Sequence, residues 1–398
     1  MDRQVTIVGG GSVGLLLALA IAPYANQITL IEQQAIETTC RDQRAIALSH
    51  SSVSLLDGLG IWSQIAGFAK PIEHVHVTQQ SRWGVATLHA HELGLPFLGQ
   101  VVPLGQIVEA AKAQLKKWHN VTYQSPATVE QMAQQSNGHW QLFVTDHQGN
   151  GHWQPSDLIV AADGAGSRIR RELDIRTHVH DYGQSALVFP VKHSQPMDGW
   201  AYERFTESGA LAILPAFDHD DQSTAIWTVP HDQAKPLQNL ATPALAQTLQ
   251  ATFGDWLGWL DCPESPKQFP LSLVHAKQLS QNNCLLFGNA AHFLHPIAGQ
   301  GLNLSLRDIG QLHDCLSQQD AFDHIPETLK RYAQARQQDH QLTVTMTDQL
   351  MRNALIRRFK SIGLVGLQRN RLANRLISQL MLGHWTPGNT LIKTRVKK

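Results

Sequence analysis

Four short apolar runs mark the first elements that this sequence predicts. Residues Gln4–Val8, 28–31, 157–162 and 284–287 are runs of this kind, and each has the length of a buried β-strand. Residues 15–21 form an apolar helix start directly after the first run. The order strand, helix, strand near the N-terminus therefore predicts an α/β fold class.

A different pattern, in which apolar residues alternate with other residues, follows in the second half of the chain. It covers residues 202–205, 211–214 and 225–229. Period-two alternation is typical of strands with one buried face, so this region is predicted to form a β-sheet of its own. The sequence contains no internal repeat and no low-complexity linker.

Length and composition narrow the class of protein. A chain of 398 residues is too long for one simple core, so we expect one composite domain or two domains. Hydrophobic residues make up 42% and charged residues 16%, which are ordinary proportions for a globular protein. The formal net charge is +0, so no global field attracts the protein to nucleic acid.

Cysteine and histidine usage argues against disulfide and metal frameworks. Cys40, Cys262, Cys284 and Cys315 are widely scattered and form no C-x-x-C pair, and no H-E-x-x-H motif occurs among the 21 histidines. We therefore predict no metal site and a reducing cytoplasmic setting. The N-terminus lacks the features of a signal peptide, and no apolar run reaches the length of a membrane span.

The first informative motif follows the first apolar run. Residues 9–14 fit the pattern G-x-G-x-x-G. Gly9 permits a tight turn, Gly11 lets the backbone approach a pyrophosphate, and Gly14 lets the helix lie close to the strand. Glu32 ends the second run, where an acid binds ribose hydroxyls. The arrangement predicts dinucleotide binding; the alternative is a glycine-rich turn without a ligand, with Glu32 as a surface acid.

Two later strand ends also lead into small residues. Residues 162–168 read Ala-Asp-Gly-Ala-Gly-Ser-Arg, and residues 288–303 run from Gly-Asn-Ala-Ala-His to Gly-Gln-Gly-Leu-Asn. Each segment can place backbone amides against a bound ligand.

Together these motifs resemble a known family. With residues 42–48 and 202–206, they match in order the FAD-dependent aromatic hydroxylases of ubiquinone biosynthesis, within the para-hydroxybenzoate hydroxylase class. The branch that hydroxylates 2-polyprenyl-6-methoxyphenol is the most similar. Residues beyond about 340 match only loosely.

The resemblance implies a Rossmann-like FAD-binding domain, a β-sheet substrate domain that lies over the flavin, and a helical C-terminus. The expected FAD-binding domain is discontinuous. We expect it at residues 1–75, 100–180 and 270–320, the substrate domain at 76–99 and 181–269, and the C-terminal helical region at 321–398.

The resemblance also implies roles for individual residues. Those expected to bind the cofactor are Gly9, Gly11, Gly14, Glu32, Arg44, Asp163, Gly288, Asn289, Pro296, Gly299, Gly301 and Asn303. Pro296, Gly299 and Gln300 would face the flavin ring. Tyr202 and Arg204 are candidates for substrate contact. No side chain is assigned as an acid, base or nucleophile.

Several of these assignments have simpler alternatives. Arg44 could pair with a nearby acid, and Asp163 could cap a helix. Tyr202 and Arg204 could be strand residues that face solvent. Most relatives have Asp where this chain has Asn289, but an amide still donates and accepts hydrogen bonds, so we expect cofactor binding to persist.

The activity that the resemblance implies is that of a monooxygenase. FAD reduced by NAD(P)H would react with O2 to give a C4a-hydroperoxyflavin, whose distal oxygen attacks an electron-rich phenol ring. The protein would shield this adduct from water and orient the ring. The expected partners are a hydrophobic polyprenyl phenol and other proteins of ubiquinone biosynthesis, and no nucleic acid is expected.

The end of the sequence is basic and amphipathic. After Asp348 there is no Asp or Glu, whereas Lys and Arg recur through residues 352–398 and apolar residues in 364–381 have roughly helical spacing. A helix of this kind either lies on an anionic membrane surface or packs its apolar stripe on the flavin domain. The first interpretation predicts a cytoplasmic protein in peripheral contact with the inner membrane.

Other functions are compared by their sequence hallmarks. A flavin halogenase would carry W-x-W-x-I-P, but residues 225–230 read Ala-Ile-Trp-Thr-Val-Pro. A disulfide reductase would need a C-x-x-C pair. A hydroxylase of another ring position, a prenyl-lipid reductase and a non-catalytic scaffold of the biosynthetic complex stay open as alternatives.

Overall fold

The computed structural model describes residues 3–80, 85–136, 138–217, 219–294, 299–351 and 390–393. The helices within these ranges are α1 Ser12–Ile21, α2 Ile36–Cys40, α3 His50–Gly58, α4 Trp62–Ile65, α5 Leu104–Leu115, α6 Arg168–Glu172, α7 His231–Gln238, α8 Thr242–Phe253, α9 Gln300–Leu316, α10 Ile325–Met351 and α11 Thr390–Lys393. Short 3₁₀ turns cover Ala66–Phe68, His91–Leu93 and Gly288–Ala290.

The strands are numbered in chain order. They are β1 Gln4–Val8, β2 Gln27–Ile31, β3 Ala45–Ser49, β4 Lys70–Ile72, β5 His74–Gln79, β6 Val85–His89, β7 Gly99–Pro103, β8 Val121–Gln124, β9 Ala127–Gln134, β10 Trp140–Asp146, β11 Gly151–Ser156, β12 Leu158–Ala161, β13 Thr177–His193, β14 Trp200–Phe205, β15 Ala210–Pro215, β16 Gln222–Pro230, β17 Leu260–Asp261, β18 Lys267–Ala276, β19 Ser280–Gln281, β20 Cys284–Leu286 and β21 His292–Phe293.

The first sheet contains the four strands that the apolar runs predict, and its strands are parallel except for the edge strand β19. Its order is β19-β20-β12-β1-β2-β8, and β1 lies between β2 and β12 with parallel pairing on both sides. All four residues of β12 are fully buried, as expected for a strand covered on both faces. Helix α1 is apolar on every side because it packs against the sheet, α5 and α9. The carboxyl ends of β1, β12 and β20 therefore meet at one edge of the sheet.

The second sheet is the one that the alternating pattern predicts. Its strands follow the order β21-β18-β13-β16-β15-β14-β5-β6, with β17 beside β13. On one face, residues such as Leu211, Ile213 and Trp227 form a core with Leu249 and Phe253 of α8. The other face of this sheet is directed toward the first sheet. The space between the two sheets can therefore hold a functional site.

Two smaller sheets complete the described part of the fold. Strands β3, β7 and β4 form one of them, which lies between the two large sheets, and β9, β10 and β11 form an antiparallel meander beside the first. The α/β class, with a Rossmann-like domain, a separate sheet and helices toward the C-terminus, is confirmed. The predicted amphipathic segment falls mostly on residues 352–389 and 394–398, which lie outside the described residues.

A buried carboxylate joins α9, α10 and the short strand β21. Asp308 of α9 accepts hydrogen bonds from Nε2 of His292 (2.7 Å), from Nε2 of His340 (2.8 Å) and from Nε of Arg336 (2.5 Å). The side chains of these four residues are at most 3% exposed. Burial alone would raise the pKa of Asp308, but the surrounding donors and the Arg336 charge hold it well below its usual range.

A second acid completes the network. Asp339 accepts from Nε of Arg307 at 2.8 Å and also pairs with Arg336. Two carboxylates therefore face two guanidinium groups, so the cluster carries no net charge when its histidines are neutral. Burial lowers the pKa of His340 and favours its neutral form.

The substitution Asp308→Asn tests this network. It removes one of the two carboxylates that pair with the buried Arg336 and leaves the cluster with an uncompensated positive charge, so we expect the free energy of unfolding to fall by about 3–5 kcal/mol. Because the folded pKa of Asp308 is lowered, its contribution is present above the ordinary carboxyl range and is lost as the pH falls toward the lowered value. The variant should therefore lose less stability between neutral and acidic pH than the wild type, as measured by denaturant unfolding across pH.

Asp220→Asn is the matched control because Asp220 pairs with Lys70 on the surface, with its side chain 88% exposed. This change should leave stability almost unaffected. Equal stability losses in the two variants would contradict the role given to Asp308.

Candidate active site

The glycine turn after β1 has the geometry of a phosphate cradle. Gly9 has φ +107°, a conformation that favours glycine, and a Cβ on Gly14 would lie 1.9 Å from the Gly9 carbonyl oxygen. A Cβ on Gly11 would meet nothing within 4 Å. Helix α1 begins without a side-chain cap, so N–H groups of its first turn face this open space.

Glu32, directly after β2, holds the glycine turn in place through hydrogen bonds. Its Oε2 accepts the Gly10 N–H at 2.6 Å, and its Oε1 accepts the N–H of Gln34 at 2.8 Å. The spacing of the motif predicted that Glu32 binds ribose hydroxyls, and this role stays a prediction. The structure shows that this acid also sets the backbone of the glycine turn.

Asp163 occupies the end of β12 and has one oxygen in use. Its Oδ2 accepts the N–H groups of Arg168 (2.8 Å) and Ile169 (3.3 Å) at the start of α6, which is the capping role considered for it. Its Oδ1 is buried and has no hydrogen-bond partner among the described residues. A buried oxygen without a partner is costly, so a bound group that donates to it would be stabilised.

The segment after β20 returns to the same edge of the sheet. Gly288 has φ +55° and packs against Val13 of α1, while Gly299 has φ +61° and precedes α9, which also begins without a side-chain cap. Asn289 and Gly301 line the cavity described below. Pro296 lies outside the described residues.

Asn303 has a different role from the one expected. Its Oδ1 accepts from the Ser49 N–H (2.9 Å) and the Ser52 hydroxyl (2.6 Å), and its Nδ2 donates to the carbonyls of Ala47 and Gly299. These four bonds use the full capacity of the amide. Asn303 therefore holds the α9 start against β3 and has no hydrogen-bonding position left for a cofactor.

Arg44 lies at the rim of the site. It pairs with Asp42 through several hydrogen bonds, including Nη2 to Oδ2 at 2.7 Å, and its guanidinium lies 5.9 Å from the centre of the Phe269 ring. Burial raises the pKa of Asp42, but the Arg44 bonds outweigh this and lower it. Both interpretations of Arg44 are compatible with the structure, since it pairs with an acid and also lines the cavity.

One cavity of about 390 Å³ connects these elements with the second sheet. Ser12, Asn289 and Gly301 line it on the cofactor side. On the sheet side the lining is mostly aliphatic and comes from Val75, Leu88, Ala201, Ala210, Ala212, Leu214 and Ile226. Such a cavity has room for a flat ring system beside a hydrophobic ligand.

The two substrate candidates lie differently from the expectation that both contact substrate. Tyr202 borders the cavity, but its ring packs edge-on against Phe253 of α8, 5.5 Å between centroids. Arg204 donates to Thr78 on the same outer face. Because side chains alternate across a strand, Glu203 projects toward the cavity instead.

The buried cluster around Asp308 was not anticipated from sequence. Its His292, Asp308 and His340 present ligand atoms within 4.8 Å of one another. Arg336 donates to the same carboxylate, so a cation at that point would face a guanidinium. The arrangement is best described as a hydrogen-bonded support for the segment that leads from β20 to α9.

Comparison with known proteins identifies the family. Residues 2–347 match the family described as FAD binding domain. The chain is 31% identical to the 3-demethoxyubiquinol 3-hydroxylase of Escherichia coli, over 96% of this chain and 98% of that protein. It is also 31% identical to the ubiquinone hydroxylase UbiL of Rhodospirillum rubrum, over 88% and 81% of the two chains. This chain belongs to the family of FAD-dependent hydroxylases that contains these enzymes.

Solved structures agree with the fold. PqsL of Pseudomonas aeruginosa, in complex with 2-aminobenzoylacetate, has a TM-score of 0.76 at 19% identity and covers 88% of this chain. The p-nitrophenol 4-monooxygenase PnpA of Pseudomonas putida has a TM-score of 0.72 at 16% identity. The prediction of an FAD-dependent monooxygenase that uses NAD(P)H and O2 is confirmed by the family.

The residues present fit FAD. The open space at Gly11 and the uncapped start of α1 suit a pyrophosphate, and the unpartnered Oδ1 of Asp163 suits a hydroxyl donor. Among the described helices, none combines the length and apolar character needed to cross a membrane.

The contrast between Gly11→Val and Gly14→Val tests the cradle. Gly11 has φ −69° and ψ −171°, which any residue adopts, so the valine should fold but fill the space that phosphates need. We expect the FAD affinity to fall roughly tenfold or more, that is by at least ~1.4 kcal/mol, with the Tm of the FAD-free protein unchanged.

Gly14→Val is the matched comparison because its Cβ meets the Gly9 carbonyl oxygen in the folded chain. This variant should lose Tm even without FAD. A Gly11→Val protein that binds FAD as tightly as the wild type would show that the cradle is elsewhere.

Proposed function

We propose that this protein hydroxylates the aromatic ring of a polyprenyl phenol in ubiquinone biosynthesis, with 2-polyprenyl-6-methoxyphenol as the substrate. The observation that carries the proposal is the cavity between the cofactor edge and the second sheet. It joins the residues that would hold FAD to an aliphatic wall, so a ring bound against that wall lies next to the cofactor. Bound FAD supplies the redox chemistry by taking electrons from NAD(P)H and activating O2.

The residues of this chain contribute positioning and exclusion of water. Aliphatic side chains on the sheet side would pack against the ring and its prenyl substituent, which favours an uncharged hydrophobic substrate. The same side chains keep water from the reacting atoms, so that activated oxygen is transferred and not released as peroxide. The reaction consumes the phenol, O2, NAD(P)H and a proton, and it yields the hydroxylated ring, NAD(P)⁺ and water.

A second ring position is favoured by one specific comparison. The Escherichia coli relative, which matches over nearly its whole length, is named for the 3-hydroxylation of 3-demethoxyubiquinol. A substrate that already carries further ring substituents would bind to the same aliphatic wall. The alternative to both is a non-catalytic flavoprotein that supports the biosynthetic complex.

Turnover of two short-chain substrates tests these proposals. We would measure NAD(P)H and O2 consumption by the FAD-loaded protein with a prenylated 6-methoxyphenol and with a prenylated demethoxyubiquinol, and identify each product by mass. The first proposal predicts faster consumption and a ring product one oxygen heavier with the methoxyphenol. Reaction of the demethoxyubiquinol alone would assign the second ring position, and nicotinamide oxidation that yields only peroxide with either ring would contradict both.

Membrane contact is part of the proposal because a polyprenyl phenol partitions into the bilayer. The basic residues of the segment 352–398 would each add about 1 kcal/mol of attraction near an anionic surface. Flotation with anionic liposomes at low salt should therefore carry the protein upward, whereas zwitterionic liposomes should not. Equal recovery with both lipids, or no binding at low salt, would contradict peripheral contact through this segment.

A further inference from the structure

Glu203 is the acid in a mostly aliphatic wall, which also includes Tyr202 and Thr228. It lies on β14, where its register partners are Val77 on β5 and Ala212 on β15, so both neighbours on the sheet are apolar. The cavity-facing residues beside it include Ala201 and Leu214. Strand alternation places Glu203 on this face, opposite the helices α7 and α8.

The Glu203 carboxyl group has no hydrogen-bond or ion-pair partner among the residues that the structure describes. Glu203 is half-buried, so its carboxyl group is accessible from the cavity to a bound group that donates a hydrogen bond. Burial raises the pKa of Glu203 to about 7, so the group changes protonation near neutral pH. A base is most effective when its pKa lies near the operating pH.

Other charges do not neutralise Glu203. On the sheet, the elements on either side of it present Val77 and Ala212. Among the described residues that line the cavity, Arg44 is the other charged one, and it is already paired with Asp42. The remaining polar lining on the cofactor side consists of amides and hydroxyls, such as those of Asn289 and Ser12.

We propose that Glu203 recognises the ring hydroxyl of the substrate and acts as the base that accepts its proton during hydroxylation. This inference rests on the proposed function and assigns the group that activates the ring. As the O–H bond of the phenol breaks, Glu203 takes the proton and the electron pair of that bond moves into the ring. The activated ring carbon then bonds to the oxygen atom that bound FAD would supply from O2, while the O–O bond breaks and the second oxygen leaves as water. That carbon then loses its hydrogen as a proton to water, aromaticity returns, and Glu203 gives its proton back to the ring oxygen from which it came.

The wall also determines which rings suit the site. The aliphatic residues around Glu203 favour an uncharged ring, and the ionised carboxylate disfavours a substrate that carries its own carboxylate at that point. The ligand class is therefore a neutral phenol whose hydroxyl points to β14. Tyr202 and Arg204, on the outer face, hold the strand through Phe253 and Thr78.

The substitution Glu203→Gln tests the assignment because Gln keeps the size but cannot take the proton. We expect kcat for the short-chain phenol to fall about 100-fold, with nicotinamide oxidation diverted to peroxide. The wild-type kcat/KM should fall as the pH drops below about 7, since the base is then protonated. The variant should not show this decrease of kcat/KM at acidic pH. FAD content and Tm should not change.

A binding measurement without turnover gives the second readout. The wild-type protein, loaded with oxidised FAD, should bind the phenol about tenfold or more tightly than its methyl ether, which has no hydroxyl proton. Glu203→Gln should lose this preference. Glu207→Gln, at an exposed acid just beyond the same strand, is the matched control and should behave as the wild type in every assay.

The outcomes separate the two proposals. If the wild type makes product but Glu203→Gln keeps the wild-type kcat, the decrease of kcat/KM at acidic pH and the preference for the phenol, then Glu203 is not the base. If the wild type hydroxylates neither ring, the proposed function fails, and the comparison of phenol with methyl ether still decides whether Glu203 binds a ring hydroxyl. Loss of FAD or Tm in Glu203→Gln would assign the acid a structural role and overturn the inference.

Discussion

The buried Asp308 carboxylate is the interaction on which the geometry of the site depends. It binds His292 at the β21 end of the segment that follows β20, and it binds Arg336 and His340 on α10. Since Asp308 lies within α9, the start of that helix is held in place relative to β20. Ion pairs of this kind contribute little net stability against an apolar core, but breaking one is costly, so the network specifies a single arrangement.

That arrangement places three backbone turns at one edge of the first sheet. The turn at Gly9–Gly11, the Asp163 turn and the start of α9 all lie there, and Asn303 fastens the last of them to β3. The second sheet then closes the opposite side with aliphatic residues. Oxygen transfer to a ring needs both sides of the cavity. The edge of the first sheet would hold the cofactor, and the second sheet would exclude water and orient the ring.

The sequence predicted those parts of the fold that depend on local signals. The strands at Gln4–Val8 and 284–287, the glycine turn and the alternating strands of the second sheet each follow from neighbouring residues, and the structure contains them. The Asp308 cluster could not be found in this way because its members are separated by up to 48 positions between His292 and His340.

The substrate wall depends on a feature that the sequence of one strand does not contain. Within Tyr202-Glu203-Arg204, the resemblance makes the two flanking residues the substrate candidates. Once the segment is a strand, residues 202 and 204 share one face and residue 203 takes the other. Which face meets the cavity depends on α8, because this helix packs on Tyr202 through Phe253. That choice is made by tertiary packing and cannot be derived from the strand alone.

We propose that this FAD-dependent hydroxylase transfers an oxygen atom from O2 to a phenol ring held between its two sheets. The most direct measurement is turnover of a short-chain prenyl phenol under ¹⁸O2 in unlabelled water, followed by mass analysis of the product. We expect one labelled oxygen on the ring of the product. A hydroxylated product whose new oxygen comes from water, or a reduced product without new oxygen, would contradict it.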